Sequence, residues 1–366
     1  MNKLDSCYEK AIETIKHCST PNGFFASGGI DGYNAVWARD SMITALGASL
    51  IKEPIFEKTF EKSIITLANN QSANGQIPNA VDRFRERKPH TDYQSIDSSL
   101  WYIIGHYIYK KRYNNKLFKN YNKSIISSLN WLRCQDSGEI GMLVQQPTSD
   151  WQDAFPHKYG HTINTQALYY KVLTLIGAKK NAKILRKNAN QNKDLRLWNG
   201  KFYWPYRWKN HNKYKEIGEW FDSLGNLLAV VFDLADKKQA EKIIKYIKRK
   251  RINKPYPVKT IYPPITKKSE FWHDYFLDCD AGKPNHYSNG GIWGFNGCFY
   301  ILSLIKLKKF KEAKKHLSKL AELNLKANFP EWTNPKTKKS YGRLQAWEAG
   351  MYILAYESLK KKKILI

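Results

Sequence analysis

Carboxylates and indole rings recur side by side along this chain. Trp37, Arg39 and Asp40 stand together in "NAVWARDS", and Asp97 shortly precedes Trp101 in "DYQSIDSSLW". Asp150, Trp151, Gln152 and Asp153 fill "SDWQDAF", and Glu219, Trp220 and Asp222 fill "GEWFDS". Asn289, Gly290 and Trp293 follow His286 in "HYSNGGIW". Glu331 and Trp332 end "FPEW", with Trp347 and Glu348 soon after. Each stretch alone reads as a helix cap or a core aromatic. Together they make a site for a polar, uncharged ligand with apolar faces. Carbohydrate fits: its hydroxyls pair with Asp, Arg and Asn while its C–H faces lie on indoles.

The elements that carry these stretches are helices. Helical periodicity runs near 5–17, 40–52, 56–70, 95–111, 121–135, 162–177, 179–191, 220–235, 238–250, 291–306, 309–322 and 343–359. Strand-like alternation is scarce outside "KFYWPYRW" at 201–208. Six segments, such as "LWYIIGHYIY" and "LGNLLAVVFDLA", are apolar nearly all round and should be buried on most sides. Six others, such as "KEAKKHLSKLAEL", have one apolar stripe and a lysine-rich face. The two kinds alternate, outer then inner. Links from inner to outer helices are short, and links from outer to inner are mostly long. Long loops gathered at one end of a scaffold are where binding and catalysis usually sit.

The expected fold is all-α: an (α/α)6 toroid of six inner and six outer helices, one domain over residues 1–366. A helical solenoid would leave the inner/outer contrast unexplained. Gly47, Gly105, Gly225, Gly297 and Gly350 lie within the inner segments, where they cost helix propensity but permit close packing.

Composition narrows the function. Apolar content of 42% marks a globular protein, and no apolar run is long enough to cross a bilayer. The first residues, "MNKLDSCYEKAIETIKHC", have no signal-type apolar core. Cys7, Cys18, Cys134, Cys279 and Cys298 are odd in number and scattered, without zinc or redox spacing. These features lead to the expectation of a cytoplasmic protein with neither metal nor cofactor. The formal charge of +29 would suit nucleic acid. The lysines, however, punctuate the polar sides of amphipathic helices, no nucleic-acid motif accompanies them, and the loop stretches above are acidic. The expected partner is a small-molecule or oligosaccharide substrate. The oligomeric state is not legible.

Cleavage of a glycosidic bond needs an acid beside the leaving oxygen and a second carboxylate across the ring. Asp153 and Glu331 come from the third and sixth connections, opposite each other in a six-fold ring. Opposed placement suits inversion, in which carboxyls about 6.5–9.5 Å apart leave room for a water. Glu348, Glu219 and Asp150 are the rival carboxylates.

In these motifs the chain resembles the inverting (α/α)6-barrel glycoside hydrolases: glucoamylases, the glucosidase domain of glycogen debranching enzymes, and alkaline/neutral invertases. "YNAVWARDS" is similar to the turn whose Arg and Asp hold the terminal sugar, which implies that role for Arg39 and Asp40, with Trp37 beside them. "DSSLWYIIGHYIY" resembles an Asp-x-x-Leu-Trp helix of debranching enzymes and invertases. "DWQDAF" with "INTQALYY" is similar to the acid-bearing segment and implies that Asp153 is the general acid. "HYSNGGIW" resembles an invertase stretch, and "FPEW…GRLQAWEAGMYILA" implies that Glu331 is the general base. The chain departs from glucoamylases in having Gln152–Asp153 where they carry Glu-Glu, and from invertases in having Ala154 and Phe155 after the acid. The expectation is an exo-acting, inverting hydrolase of α-glucosidic bonds in short oligosaccharides. Sucrose cleavage or a non-catalytic sugar-binding toroid are the alternatives. The expected binding residues are Trp37, Arg39, Asp40, Asp97, Trp151, Gln152, Glu219, Asp222, Asn289, Gly290, Trp293 and Trp347. Burial among Trp151, Phe155 and Tyr159 is expected to keep Asp153 protonated.

Overall fold

A computed structural model describes residues 2–29, 32–82, 90–211, 214–277 and 282–366. Cys279 lies outside them; the other four cysteines are free thiols. Thirteen α-helices occur among the described residues: α1 (Lys3–Cys18), α2 (Ala38–Ala48), α3 (Pro54–Asn69), α4 (Asp97–Arg112), α5 (Lys116–Asn120), α6 (Asn122–Cys134), α7 (Ile163–Leu175), α8 (Lys179–Asn190), α9 (Ser223–Val231), α10 (Lys237–Arg249), α11 (Gly294–Lys306), α12 (Phe310–Ala327) and α13 (Ala346–Lys360). All twelve expected helices are present. The thirteenth, α5, is a single turn that periodicity over longer windows does not register. None of these helices is long and apolar enough to cross a membrane.

The chain forms two compact units, one of residues 1–132, 308–331 and 340–366, the other of residues 133–307 and 332–339. In the first, α2 packs between α13 and α4, while α1 and α12 cover α13 and α3 covers α2 and α4. Every residue of α2 is buried. Backbones touch here: a Cβ on Gly47 would lie 1.8 Å from the Gly350 carbonyl oxygen, and one on Gly350 would lie 2.5 Å from that of Thr44. Only glycine permits that approach, which is what the helix-interior glycines offset their propensity cost for.

In the second unit α9 packs between α7 and α11, α8 covers α7, and α10 lies on α9 and α11. All nine residues of α9 are buried, whereas α10 buries only Ala240, Ile243, Ile244 and Ile247. That spacing is one stripe of a helix whose other faces carry lysine. The inner/outer contrast read from the sequence is thus real within each unit.

Short strands lead into several inner helices and set where they begin. Val36–Trp37 pairs with Ala80–Val81, His161–Thr162 with Tyr206–Arg207, and Phe221–Asp222 with Ile261–Tyr262, all antiparallel. The chain therefore enters α2, α7 and α9 pinned by backbone hydrogen bonds. The strand Tyr206–His211 begins inside the 201–208 stretch singled out by its alternation.

Candidate active site

In the first unit the N-cap and first turn of α2 hold three of the expected residues. Trp37, the half-buried N-cap of α2, has no side-chain capping bond, so Asp40 lies inside the first turn rather than capping it. A carboxylate there still meets the positive end of the helix dipole. Arg39 and Asp40 are 3% and 6% exposed. Nη1 of Arg39 donates to Asp97 Oδ1 at 2.9 Å, and Ser95 Oγ donates to the same oxygen at 2.6 Å. Asp97 is fully buried. It pairs with Arg39 from behind the turn.

Glu331 stands in a cleft of about 440 Å3 lined by Ser27, Gly29, Tyr33, Gly342, Arg343 and Gln345 among others. Tyr33 donates its hydroxyl to Glu331 Oε1 at 3.2 Å and sets its ring edge-on to Trp37, centroids 5.8 Å apart. Backbone bonds knit three segments around the cleft: Glu331 N–H to Tyr341 O, Gln345 N–H to Phe329 O, and Ala346 N–H to Ala26 O. Gly342 has φ +65°, and a Cβ there would come within 2.8 Å of Glu331 Cβ. Glycine thus leaves the Glu331 side chain its place. Trp347 is buried in the first turn of α13. The rival Glu348 faces elsewhere: it neighbours Asn324 of α12 and Cys7 of α1. Burial pushes its pKa up to about 8, against a lowering by Asn324.

In the second unit Asp150, Trp151 and Gln152 are buried, and Asp153 is exposed. The expected burial of Asp153 is not found, because Trp151, Gln152 and Phe155 take the inward positions of this turn. Trp151 packs edge-on to Trp293 and Phe295, with centroids 5.6 and 5.4 Å away. Trp293 donates its indole N–H to the Tyr287 carbonyl at 3.2 Å. Phe155 joins Tyr206, Trp220, Ile261, Ile265 and Phe276 in a hydrophobic cluster.

At the centre of this region is a residue that the sequence did not single out. Lys158 is completely buried; its Nζ lies 2.9 Å from Asp150 Oδ2 and 3.0 Å from Asp222 Oδ2, and donates to Gln152 Oε1 at 2.7 Å. Burial opposes its charge, but the two carboxylates more than offset this and hold its pKa above the ordinary lysine range. Asp150 Oδ1 also accepts the Gln152 backbone N–H at 2.9 Å. Asp222 is the N-cap of α9, accepting from Gly225 N–H at 3.2 Å. Asp150 and Asp222 thus anchor the loop that carries Asp153. A lone lysine between His157 and Tyr159 carries no sequence signal that it will be buried.

Three other expected binding residues behave differently. Asn289 donates to the carbonyls of Ile265 and Gly282 and accepts from Ile265 N–H, each at 2.8 Å. Its amide is committed to backbone. Gly290, at φ +91°, donates its N–H to Thr260 Oγ1 at 3.0 Å. Both shape the turn before α11. Glu219 is exposed beside the buried Trp220. The structure therefore groups Trp37, Arg39, Asp40, Asp97 and Glu331 in neighbouring segments of one unit, and Trp151, Gln152, Asp222 and Trp293 in the other. Tyr33 and Lys158 are additions.

Comparison with known proteins follows the same lines. Residues 216–362 match the family model described as alkaline and neutral invertase. The probable alkaline/neutral invertase A, chloroplastic, of Arabidopsis thaliana is 23% identical over 343 residues, covering 74% of this chain and 52% of that protein. Neutral/alkaline invertase 1, mitochondrial, of Oryza sativa subsp. japonica is 30% identical over 140 residues, or 36% of this chain and 22% of that protein. The chain spans about half the length of the Arabidopsis invertase that it matches. Among solved structures, the GH63 mannosylglycerate hydrolase from Thermus thermophilus in complex with glucose superposes with a TM-score of 0.72 at 14% identity, covering 96% of this chain and 99% of that one. A wild-type glycosidase gives 0.65 at 13% identity, covering 98% of each chain. These likenesses show the fold, the all-α (α/α)6 class expected from the sequence.

Proposed function

We propose that the protein is an inverting, exo-acting glycoside hydrolase of short neutral saccharides, with Asp153 as general acid and Glu331 as general base. The reading takes residues 1–366 as one catalytic domain. The observation that carries it is the Glu331 cleft: a half-buried carboxylate beside a tyrosine hydroxyl, in a cavity of small-ligand size. The invertase match over residues 216–362 includes Glu331, and the fold neighbours include a mannosylglycerate hydrolase and another glycosidase.

In this mechanism Asp153 gives its proton to the glycosidic oxygen as the bond to the anomeric carbon breaks. Glu331 takes a proton from the water that attacks the opposite face of that carbon. The product leaves with inverted configuration, and both carboxyls return to their starting states by exchange with solvent. Exposure of Asp153 speeds that exchange. Arg39 and Asp40 hold hydroxyls of the terminal sugar, and their bonds assist the rate to the extent that they tighten in the transition state.

The sequence motifs place exo-cleavage of α-glucosides first. The invertase match supports sucrose as the alternative substrate, and it makes sucrose the first to test. We place the protein in the cytoplasm on its scattered cysteines, four of which are free thiols among the described residues. The test is proton NMR of the full chain with sucrose, maltose, isomaltose, maltotriose and trehalose. Early release of β-glucose is expected from one of them; with sucrose or maltotriose, whose leaving groups are fructose and maltose, early α-glucose overturns the inverting mechanism. Glu331→Gln should lower turnover by about two to four orders of magnitude. Near-normal turnover removes Glu331 from the role.

A further inference from the structure

Lys158 does more than neutralise two carboxylates. An ammonium group carries donors only, so the atom of the Gln152 amide that faces it at 2.7 Å must be the oxygen. The amide NH2 is thereby turned away from Lys158. It is fully buried and meets no acceptor among the described residues. The indole N–H of Trp151, the preceding residue, is also buried and without an acceptor among them. Native interiors rarely leave such donors unsatisfied, because each costs about 1–3 kcal/mol. Two on adjacent residues of one loop mark a place for an acceptor from outside the chain.

We propose that Lys158 is a positioning residue that fixes the Gln152 amide so that its NH2, with the Trp151 indole N–H, offers two donors to hydroxyl oxygens of a neutral sugar. This rests on the sugar-hydrolase reading and specifies the chemistry that the site accepts. Neutrality follows from the charges behind the donors. Asp150, Asp222 and Lys158 sum to one negative charge, fully buried and in contact with Gln152. At low local dielectric that charge repels a carboxylate or phosphate but tolerates a hydroxyl. Donors alone would have admitted an anion; the cluster excludes it. Asp150 and Asp222 also account for an amide at position 152, because a carboxylate there would add a third buried negative charge around one ammonium.

The experiment is calorimetric titration of the full chain with D-glucose, D-fructose, D-glucuronate and glucose 6-phosphate, with melting curves recorded without sugar. Gln152→Met keeps the side-chain volume and removes the donor. It should leave the sugar-free melting temperature within about 2 °C of the parent, since an unsatisfied amide and one bond to Lys158 disappear together. The dissociation constant for the bound hexose should rise at least tenfold, equivalent to about 1.4 kcal/mol. A role in stability alone gives the reverse, a lower melting temperature with unchanged affinity, and overturns the proposal. Lys158→Met should weaken hexose binding as well, and adding Gln152→Met to it should cost little more, since the amide is already unfixed. Full additivity overturns the positioning role. If Lys158→Met fails to fold, Gln152→Met alone decides. Glucuronate bound as tightly as glucose overturns the neutrality argument. A parent chain that binds neither hexose and cleaves none of the five saccharides overturns this proposal and the hydrolase reading together. Hexose binding that Gln152→Met leaves intact overturns the donor pair only.

Discussion

Replacing Lys158 with methionine tests the electrostatics of the second unit directly. The substitution retains most of the aliphatic stem and deletes the ammonium, and with it two ion pairs of 2.9 and 3.0 Å and the bond to Gln152. Asp150 and Asp222 are then two fully buried carboxylates that have lost the ammonium they share. Breaking a buried pair from one side typically costs about 3–5 kcal/mol, because the remaining charge keeps its desolvation penalty. For a chain of 366 residues melting as one transition, the unfolding entropy is roughly 0.8 kcal/mol per degree, so the melting temperature should fall by about 4–7 °C at pH 7. A pH signature should accompany the loss. The variant relieves its excess negative charge by holding a proton when folded that it releases when unfolded, so its stability should rise as pH falls from 8 to 5. In the parent, Lys158 has a folded pKa above its unfolded value. Its contribution is therefore complete below about pH 10.4 and is lost only as pH rises through the folded pKa. The assay is thermal and urea unfolding at half-unit pH steps. A melting temperature within 1 °C of the parent at pH 7, with the same pH dependence, would refute the reasoning.

Three further outcomes can be measured alongside. Arg39→Met deletes the guanidinium that donates to the fully buried Asp97, and should cost about 3–5 kcal/mol in urea denaturation; a loss below 1 kcal/mol would show that the pair is not the anchor described. Glu348, with its folded pKa raised to about 8, contributes fully below its unfolded pKa of about 4.3 and progressively less as pH rises to 8. Glu348→Gln should therefore flatten the decline in melting temperature between pH 5 and 8, and an unchanged slope contradicts the assignment. Gly342→Ala forces a Cβ into a φ of +65° at 2.8 Å from Glu331 Cβ; it should destabilise by about 1 kcal/mol or more and reduce turnover, whereas parent-like turnover would show that the cleft adjusts freely.

Much of the scaffold was legible because it is written in local periodicity. The all-apolar segments became helices buried on every side, and the lysine-striped ones became their covers, since only a helix with one apolar face can lie between a core and water. The short α5 escaped because one turn has no period to read. In the candidate site the residue types were legible but their individual duties were not. Asn289 looked like a ligand contact and is committed to backbone, while Asp153 was expected under cover and is exposed. Nothing within "HYSNGG" or "DWQDAF" specifies which way a side chain turns. That depends on which neighbours across the fold need a donor, an acceptor or an apolar wall.

What the sequence determined by itself is the class of fold and the inventory of chemistry: helices of two kinds in alternation, with carboxylates, indoles and arginines at the entries to the inner ones. Periodicity and composition suffice for this because burial of an apolar face is a property of each segment. What only the tertiary structure decided is how those charges are matched. Arg39 meets Asp97 from 58 positions away, and Lys158 meets Asp222 from 64. Pairing of buried charges is decided by distance in space and by the cost of leaving any one of them alone in a low dielectric, and neither quantity exists until the helices have packed.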